Sequence, residues 1–481
     1  MEYKLIPYPK SISPLKGRVP ADAPVSQKVT RSLAKEAVNI RISDGKIEVE
    51  GGSGAALLYA QTTLDQLKRQ FPDGIPGLLI NDEPACSWRS FHIDTARHYI
   101  PVDELKKMIR MAAYFKLNRF HWHFSEDQGW RIECRRFPKL HEIGSRRAGD
   151  HFGNYCSDVP EGAYYTREET KEIVDYCASF GIEVVPEIDM PGHVAAILAA
   201  FPELSCTGEP VEVQTKAMIN PLILCAGKEE VFTFMEQLID DMLELFPGKY
   251  FHIGGDEAPK DRWKACPLCK KRMEEEGLTD YNQLQGYFNN RIAAYLISKG
   301  KTPIVWNEAA EGDNLSPETV IEFWRGDKEG HVAKHLQKGG KVILANVKNA
   351  YCDYPYSMIS LKDIYSMNTA PENYLPEGIL GTECLVWTEY IRNAERLETY
   401  CWPRFAASAE AGWSGENRPG YSSFAERMEA LFPVFEDFGI QATPADWWTP
   451  EGEAAEKELD EFGKNFPPEV VAMFRKMRES N

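Results

Sequence analysis

The sequence predicts an α/β fold: a (β/α)8 TIM barrel preceded by a small α+β domain and followed by a C-terminal helical appendage. Two observations lead to this prediction. From about residue 84 onward, short runs of β-branched and aromatic residues alternate with longer stretches of helical periodicity, which is typical of parallel β-α units. About eight such runs occur over roughly 350 residues, as a closed barrel requires.

Residues 1–83 have a different pattern, which predicts the small α+β domain. Two short strands, a glycine-rich turn and a helix are expected within 39–67. The segment 46–50 alternates polar and apolar residues with the period of a half-buried strand. The polar stretch 81–84, which ends in proline, then separates this domain from the barrel.

The predicted barrel covers residues 84–440. Its strands are expected in the runs SFHIDTA, RFHWHFS, IEVVPEID, YFHIGGDE, TPIVWNEA, TVIEFWRG, KVILANVKN and ILGTECLVWTE. Between the first two runs, the apolar positions of a predicted helix fall on one face. The connection between the fifth and sixth runs is too short for a full helix. Residues 441–481 are charged and helical in pattern and form the predicted C-terminal helical extension.

The composition narrows the classes of partner. A net charge of −18 disfavours binding to nucleic acid, which needs basic clusters. No apolar run reaches the roughly 20 residues that span a bilayer.

The first residues, MEYKLIPYPKS, do not resemble a secretory signal. A cytoplasmic location is therefore expected, or a periplasmic or secreted one where a leader has been removed. Whether the chain forms a homo-oligomer is left open.

The 11 cysteines are scattered and do not suggest the disulfide framework of a small secreted domain. Cys177 and Cys384 lie in apolar surroundings and are interpreted as small buried hydrophobic residues. One CxxC motif joins Cys266 to Cys269. A zinc site needs a second pair with matching spacing, and none is evident, so no metal site is predicted.

Polar and aromatic side chains follow the predicted strands, where a barrel of this kind places its functional residues. They are Asp94, Arg97, Glu126, Asp127, Asp189, His193, Asp256, Glu257, Trp306, Trp324, Tyr351, Asp353, Trp387 and Glu389. Aromatic faces stack on sugar rings, and carboxylates hydrogen-bond hydroxyl groups. Neither a glycine-rich phosphate loop nor a nucleophilic Ser or Cys with a partnered base is evident. The set therefore indicates glycoside chemistry.

Neighbouring residues on a strand point to opposite faces, so Asp256 and Glu257 reach one site only if the strand has already ended. The preceding pair Gly254-Gly255 makes such a break plausible.

Simpler interpretations exist for several residues. Trp306, Trp324 and Tyr351 would suit the barrel core. Arg97 would suit a plain ion pair with Asp94, and His193 a loop residue satisfied by the backbone. His121 and His123 form an HxH pattern that can bind metal, but they are expected to fill the barrel interior.

These segments resemble the family 20 glycoside hydrolases, the β-N-acetylhexosaminidases. The matching segments are DTARHY (94–99), KLNRFHWHFSEDQGWR (116–131), EIDMPGH (187–193) and HIGGDE (252–257), with shorter matches at VW, FW, YCD, VWTE and WPRFAASAEAGWS. The resemblance covers about 86–440. Residues 1–80 resemble a shortened form of the small domain that precedes such barrels.

The resemblance implies a retaining exo-enzyme that hydrolyses terminal non-reducing GlcNAc or GalNAc from glycans without a cofactor. The 2-acetamido oxygen of the substrate would act as nucleophile and form an oxazolinium intermediate, as in the exceptions to the two-carboxylate scheme. The resemblance implies that Glu257 is the general acid and later the base, and that His193 and Glu126 form a relay that positions it. Asp256 would orient the acetamide, and Tyr351 would donate a hydrogen bond to the acetamide oxygen. The walls around the acetamide would be Trp306, Trp324 and Trp387, and the contacts to ring hydroxyls would be Arg97, Asp353 and Glu389.

One position departs from the family, which commonly has two Asp where this chain has Glu126-Asp127. Two alternatives also stay open. A metal-dependent hydrolase on the same barrel would use His121, His123, Asp189 and Asp256 as ligands. A non-catalytic glycan-binding barrel would keep the aromatic platform.

Overall fold

A five-stranded sheet and one helix precede the barrel in the computed structural model, which describes residues 3–152, 155–159, 161–464, 466 and 468–480. The elements are β1 (Ser11–Val19), β2 (Val25–Val29), β3 (Val38–Ser43), β4 (Lys46–Gly51), α1 (Gly54–Gln70) and β5 (Ile75–Asp82). The strands pair in the order β1-β5-β3-β4-β2. Helix α1 begins at the cap residue Ser53, whose side chain accepts a hydrogen bond from the Ala56 amide. It packs Tyr59, Leu64 and Leu67 into the core of this unit.

The sequence predicted β3, β4 and α1, and it missed the other three strands. Every residue of β2 is exposed, so this strand lacks the alternation that reveals a half-buried strand. It pairs in parallel with the edge of β4.

The first part of the barrel unit alternates long elements with short hairpins. In chain order it contains β6 (Trp88–Asp94), α2 (Val102–Tyr114), β7 (Arg119–His123), β8 (Ser125–Glu126), β9 (Gly129–Trp130), α3 (Lys139–Glu142), β10 (Arg146–Arg147), β11 (Asp150–Phe152), β12 (Tyr155–Ser157), β13 (Glu161–Gly162), α4 (Arg167–Ser179), β14 (Glu183–Glu187), α5 (Ala195–Ala200), α6 (Glu229–Leu243) and β15 (Tyr250–His252). Helix α2 carries two acidic residues in its first turn and buries Leu105, Met108, Ile109 and Ala112, as its periodicity predicts.

The second part completes the barrel and ends in helices. It contains α7 (Asp261–Ala265), α8 (Pro267–Glu275), α9 (Tyr281–Ser298), β16 (Thr302–Trp306), β17 (Val320–Phe323), α10 (His331–Gln337), β18 (Lys341–Leu344), α11 (Leu361–Tyr365), β19 (Ile379–Val386), α12 (Ala394–Cys401), α13 (Arg404–Ser414), α14 (Tyr421–Leu431), α15 (Pro433–Asp437), α16 (Gly452–Gly463) and α17 (Pro468–Ser480).

Eight parallel strands close into a barrel in the order β6-β7-β14-β15-β16-β17-β18-β19, with β19 pairing back to β6. Each overlaps one of the eight predicted runs, although β6 begins two residues before its run, so the predicted barrel is confirmed. Between β16 and β17 the chain forms only a 3-10 turn, Asn307–Ala310, in place of a full helix. The predicted boundaries at residues 83 and 440 fall in connections between elements and stay predictions.

The lower interior of the barrel is polar. The His121 Nδ1 atom lies 2.6 Å from a Glu383 carboxylate oxygen, and His123 hydrogen-bonds Glu187. All four side chains are fully buried. The two histidines therefore fill the barrel interior, as expected from the sequence.

The C-terminal helices α16 and α17 pack against the upper rim of the barrel. Phe462 contacts Tyr354 and Tyr390, and Phe474 also contacts Tyr354. These tyrosines directly follow Asp353 and Glu389, so the extension supports two of the predicted site residues. Among the described residues, no helix combines the length and apolarity needed to cross a bilayer.

Candidate active site

A pocket of about 170 Å³ opens where the carboxyl ends of the barrel strands meet. It is lined by Arg97, His123, Glu126, Asp189, His193, Asp256, Glu257, Trp306, Trp324, Tyr351, Asp353, Tyr354, Trp387, Glu389 and Tyr390. Every catalytic and substrate-binding residue predicted from the sequence is in this set. Their roles stay predictions, but the fold brings all of them to one place.

A sharp break after β15 presents Asp256 and Glu257 to the pocket. The strand ends at His252, and Gly254 and Gly255 adopt φ angles of 63° and 108°. A Cβ on Gly254 would lie 1.6 Å from an Asp189 carboxylate oxygen, so only glycine fits there. Two consecutive acids thus reach the same side, as the sequence predicted.

The backbone of Glu257 is itself strained, with a φ of 40°. For a residue with a Cβ, this left-handed backbone conformation raises the free energy by about 1–2 kcal/mol. The Glu257 amide donates a hydrogen bond of 3.0 Å to a Glu308 carboxylate oxygen, which helps to hold the conformation. Such strain is typical of residues whose direction matters for function.

Burial and the neighbouring Asp256 charge raise the pKa of the Glu257 carboxyl, against the opposing influence of His193 and Arg325. A carboxyl with a raised pKa keeps its proton closer to neutral pH, which a general acid needs. The His193 Nε2 atom lies 3.6 Å from Asp256 and 3.7 Å from Glu257, so it faces both acids.

His193, Glu126 and Arg97 form a chain of contacts behind the two acids. The His193 Nδ1 atom lies 2.6 Å from Glu126 Oε1, and an Arg97 nitrogen donates to the same oxygen at 2.7 Å. Burial disfavours a charged imidazole, but Glu126 and Asp256 outweigh it and raise the pKa of His193 well above its ordinary value. The longer Glu126 side chain therefore still reaches His193, where the family commonly has Asp.

Arg97 does more than pair with Asp94. Its guanidinium lies 3.3 Å from Asp94, donates to Gln128 at 3.0 Å, and lies 3.7 Å from Glu389. It also sits 5.1 Å from the ring centre of Trp387. One cation thus links the first, second and eighth barrel strands at the pocket floor.

Four aromatic rings form a continuous wall. Trp324 stacks on Tyr351 with ring centres 6.1 Å apart, Tyr351 lies 6.3 Å from Trp387, and Trp387 lies 6.0 Å from Trp306. Trp306 is only 1% exposed and donates from its indole nitrogen to Glu187 at 2.8 Å. It therefore belongs to the barrel core and to the pocket wall together.

Several buried side-chain atoms of this pocket have no hydrogen-bond partner among the described residues. They include Asp256 Oδ1, Asp353 Oδ1, Glu389 Oε2, Trp324 Nε1 and His193 Nε2. Leaving such an atom unpaired costs about 1–3 kcal/mol, and folded proteins rarely do so without a reason. Acceptors and donors set among flat aromatic faces suit a sugar ring with its hydroxyl groups.

The ligand set of the metal-hydrolase alternative is largely engaged elsewhere. His121 and His123 hold interior carboxylates. Asp189 accepts a hydrogen bond from the Gly255 amide at 3.2 Å and so supports the break after β15. The geometry therefore favours a structural role for these three residues.

Asp127 makes the stability of the site sensitive to pH. Burial and the adjacent Glu126 charge raise the pKa of Asp127 from 3.8 to about 7. The folded protein holds this proton more tightly than the unfolded chain does. The protonated Asp127 therefore makes its full contribution to the free energy of unfolding below about pH 4, and this contribution is lost as the pH rises toward 7.

Asp127→Asn, which replaces the carboxyl with a neutral group of the same shape, is expected to remove this pH dependence. The Tm of the variant minus that of the wild type should increase from about pH 5 to about pH 8, by the equivalent of at most about 4 kcal/mol. Calorimetry across this range measures the difference. A difference that stays constant would show that Asp127 is ionised throughout.

Sequence reasoning did not single out Glu308, Arg325, Tyr354 and Tyr390. Glu308 contacts the Glu257 amide, and Arg325 forms an ion pair with Glu308. Arg325, Tyr354 and Tyr390 each directly follow a predicted site residue, and Glu308 lies two residues after Trp306, where β16 ends. The position after a strand was therefore an available signal, although no residue type distinguished them.

Comparison with known proteins agrees with this geometry. The model of glycosyl hydrolase family 20, catalytic domain, matches residues 86–416. A β-hexosaminidase of Porphyromonas gingivalis is 36% identical over 82% of this chain and 53% of its own length. One from Akkermansia muciniphila is 33% identical over 89% of both chains. The chain thus spans about half the Porphyromonas relative and most of the Akkermansia one.

A solved structure described as a β-N-acetylhexosaminidase superposes with a TM-score of 0.86 at 31% identity, over 94% of this chain and 99% of the other. The likeness therefore includes the N-terminal sheet as well as the barrel.

Proposed function

The chain belongs to glycosyl hydrolase family 20 and is a glycoside hydrolase, and from this premise we propose that it is an exo-β-N-acetylhexosaminidase that uses the substrate's acetamide as nucleophile. The observation that carries the proposal is the unpaired Asp256 Oδ1 atom, which is buried and belongs to the same pocket as the aromatic wall. We infer that this atom accepts a hydrogen bond from the amide N–H of the substrate and does not attack carbon.

The terminal sugar sits in the pocket with its hydroxyl groups toward Arg97, Asp353 and Glu389. The free carboxylate oxygens of Asp353 and Glu389 accept hydrogen bonds from these hydroxyls, and the arginine holds Glu389 in place. Since these contacts occupy the floor of the pocket, only a residue at a chain end enters it. This arrangement supports an exo-acting enzyme whose substrate is a glycan.

In the first step, the acetamide oxygen attacks the anomeric carbon as the bond to the leaving oxygen breaks. The wall of Trp306, Trp324 and Trp387 holds the acetamide close to that carbon, which supplies much of the rate through proximity. Asp256 accepts a hydrogen bond from the acetamide N–H and stabilises the positive charge that develops on the acetamide nitrogen. Tyr351 donates its hydroxyl proton in a hydrogen bond to the acetamide oxygen. Glu257 protonates the leaving oxygen.

In the second step, water opens the oxazolinium ring. Glu257, now a carboxylate, takes a proton from the water as its oxygen attacks the anomeric carbon from the face that the leaving group vacated. The acetamide is regenerated, and two inversions give net retention. His193, held by Glu126, faces Glu257 throughout and so positions it for both proton transfers.

The first test compares two aryl glycosides that differ only at C2. The β-N-acetylglucosaminide is expected to be hydrolysed, and the β-glucoside without the acetamide is expected to be turned over at least about 10³-fold more slowly, because it lacks the internal nucleophile. Initial rates measure both. The β-N-acetylgalactosaminide serves as a control that keeps the acetamide.

Comparable rates on both substrates would show that the protein supplies its own nucleophile, and the proposed mechanism would be wrong. Binding of N-acetylglucosamine without turnover of either N-acetyl substrate would support the glycan-binding alternative.

A further inference from the structure

Four cysteine side chains meet outside the active-site pocket. Cys206 and Cys225 come from the long connection after β14, and Cys266 and Cys269 from the connection after β15. All four sulfur atoms lie within 4.8 Å of one another. The fold thus supplies the second pair that the CxxC motif at 266–269 needs.

The separations between the sulfur atoms fit a tetrahedral metal. The Cys225 sulfur lies 3.7 Å from that of Cys269 and 3.8 Å from that of Cys266, and Cys206 lies 3.9 Å from Cys269. A Zn–S bond of about 2.3 Å in tetrahedral geometry places its sulfur atoms about 3.8 Å apart. A disulfide would need about 2.05 Å instead.

The backbone around the cluster is built to hold the four side chains. Ser205 and Leu224 form an antiparallel bridge, and the Cys225 amide donates to the Leu204 carbonyl at 2.9 Å. These bonds place Cys206 beside Cys225.

The two connections also approach too closely for an ordinary side chain. A Cβ on Gly227 would lie 2.2 Å from the backbone carbon of Leu268, which is next to Cys269. Cys266 caps α8, and Cys269 lies in the first turn of that helix. Both members of the CxxC motif therefore face the loop of Cys225.

We propose that Cys206, Cys225, Cys266 and Cys269 bind one Zn²⁺ through four thiolates as a structural site. The four thiols release their protons as the metal binds. Four sulfur ligands in a closed tetrahedron leave no position for substrate or water, which distinguishes a structural zinc from a catalytic one. The proposal is independent of the proposed enzymatic activity.

The site would fasten together the two loops that carry the catalytic groups. The Leu224 amide donates to the Pro191 carbonyl at 3.0 Å, two residues before His193. Trp263, which lies between Glu257 and Cys266, donates from its indole nitrogen to the Leu224 carbonyl at 2.9 Å. A metal here therefore restrains the His193 loop against the loop of Asp256 and Glu257.

The experiment measures metal content of the full chain, purified without a metal-binding tag. Elemental analysis is expected to find one zinc per chain in the wild type and almost none in the double variant Cys206→Ala/Cys269→Ala. Cys177→Ala is the matched control, because Cys177 is buried, as Cys269 is, but lies on α4, away from the cluster. This control is expected to keep its zinc.

Two measurements on the wild type keep the test decisive if the double variant does not fold. A mercurial reagent that modifies thiols is expected to release one zinc per chain. Replacement of zinc by Co²⁺ is expected to give the intense visible absorption of tetrahedral thiolate cobalt. Wild-type protein with four unmodified thiols and no zinc would overturn the proposal.

Two other outcomes would also overturn it. The first is a pair of disulfides among the four cysteines, seen as a mass four units lower in the unreduced protein than in the reduced protein. It would show that the cysteines form disulfide bonds, as in proteins of oxidising compartments. Stoichiometric iron, with its strong colour, would overturn the assignment to zinc, since four thiolates also suit iron.

Treatment with a chelator distinguishes four cysteines that bind a metal from four cysteines that only pack together. Prolonged treatment with a strong chelator is expected to lower the Tm of the wild type by several degrees and to leave that of the double variant unchanged, because a ligand of the folded state stabilises it by mass action. Equal shifts in both proteins would count against the site.

Discussion

Replacement of Glu257 by Gln is expected to lower kcat on a natural disaccharide by about 10²–10⁴-fold, the usual contribution of a general acid-base group. The amide can neither protonate the leaving oxygen nor accept a proton from water. Steady-state rates on purified protein measure the loss. Glu318→Gln, at an exposed position away from the pocket, is the control and is expected to behave like the wild type.

The loss should depend on the leaving group. A substrate whose departing phenol is strongly acidic leaves without protonation, so the variant is expected to form the intermediate from it at a nearly normal rate and then to hydrolyse the intermediate slowly. A burst of phenol followed by slow turnover would therefore support the assignment. Near-full activity on all substrates would remove Glu257 from the acid role.

The pH profile gives a second readout of the same residue. Because burial and Asp256 raise the pKa of Glu257, the carboxyl stays protonated to a higher pH than an ordinary glutamic acid. The kcat/KM of the wild type is expected to fall as the pH rises through this raised pKa, since the acid form is lost. Glu257→Gln should lack that fall, and a profile unchanged in the variant would assign the limb to another group.

Much of the site followed from the sequence because a barrel turns chain order into spatial order. Each parallel strand delivers its last residues to the same end, so side chains as far apart as Arg97 and Glu389 were predicted to meet without any contact information. The pair Gly254-Gly255 likewise marked the break that lets Asp256 and Glu257 share a face. The comparisons confirm the predicted family, and the structure confirms the barrel.

The remaining features depend on contacts that leave no periodic trace. Cys206 and Cys225 lie far from the CxxC motif in the chain, and their connection meets it only after β14 and β15 pair in the barrel. Strand β2 has no buried face and therefore no alternation. Glu308 and Arg325 act on Glu257 through a backbone amide and an ion pair, which residue type alone does not predict.

The two acids of the pocket are expected to fail differently when altered. Asp256 acts on the nucleophile rather than on the leaving group, so Asp256→Asn is expected to lower kcat/KM by about 10²–10³-fold, as the loss of one preorganised electrostatic group does. The reduction should be similar for good and poor leaving groups. Asp446→Asn, at an exposed position outside the pocket, is the control.

A series of N-acyl substrates joins this loss to the acetamide. Electron-withdrawing acyl groups weaken the carbonyl oxygen as a nucleophile, so the wild-type rate is expected to fall along the series as the attacking oxygen becomes poorer. In Asp256→Asn, attack by the acetamide oxygen already limits the rate, and the variant lacks the carboxylate that stabilises positive charge on the acetamide nitrogen. The rate of the variant should therefore fall along the series at least as steeply as that of the wild type. If the variant instead loses activity only with poor leaving groups, Asp256 donates the proton, and the roles of Asp256 and Glu257 are reversed.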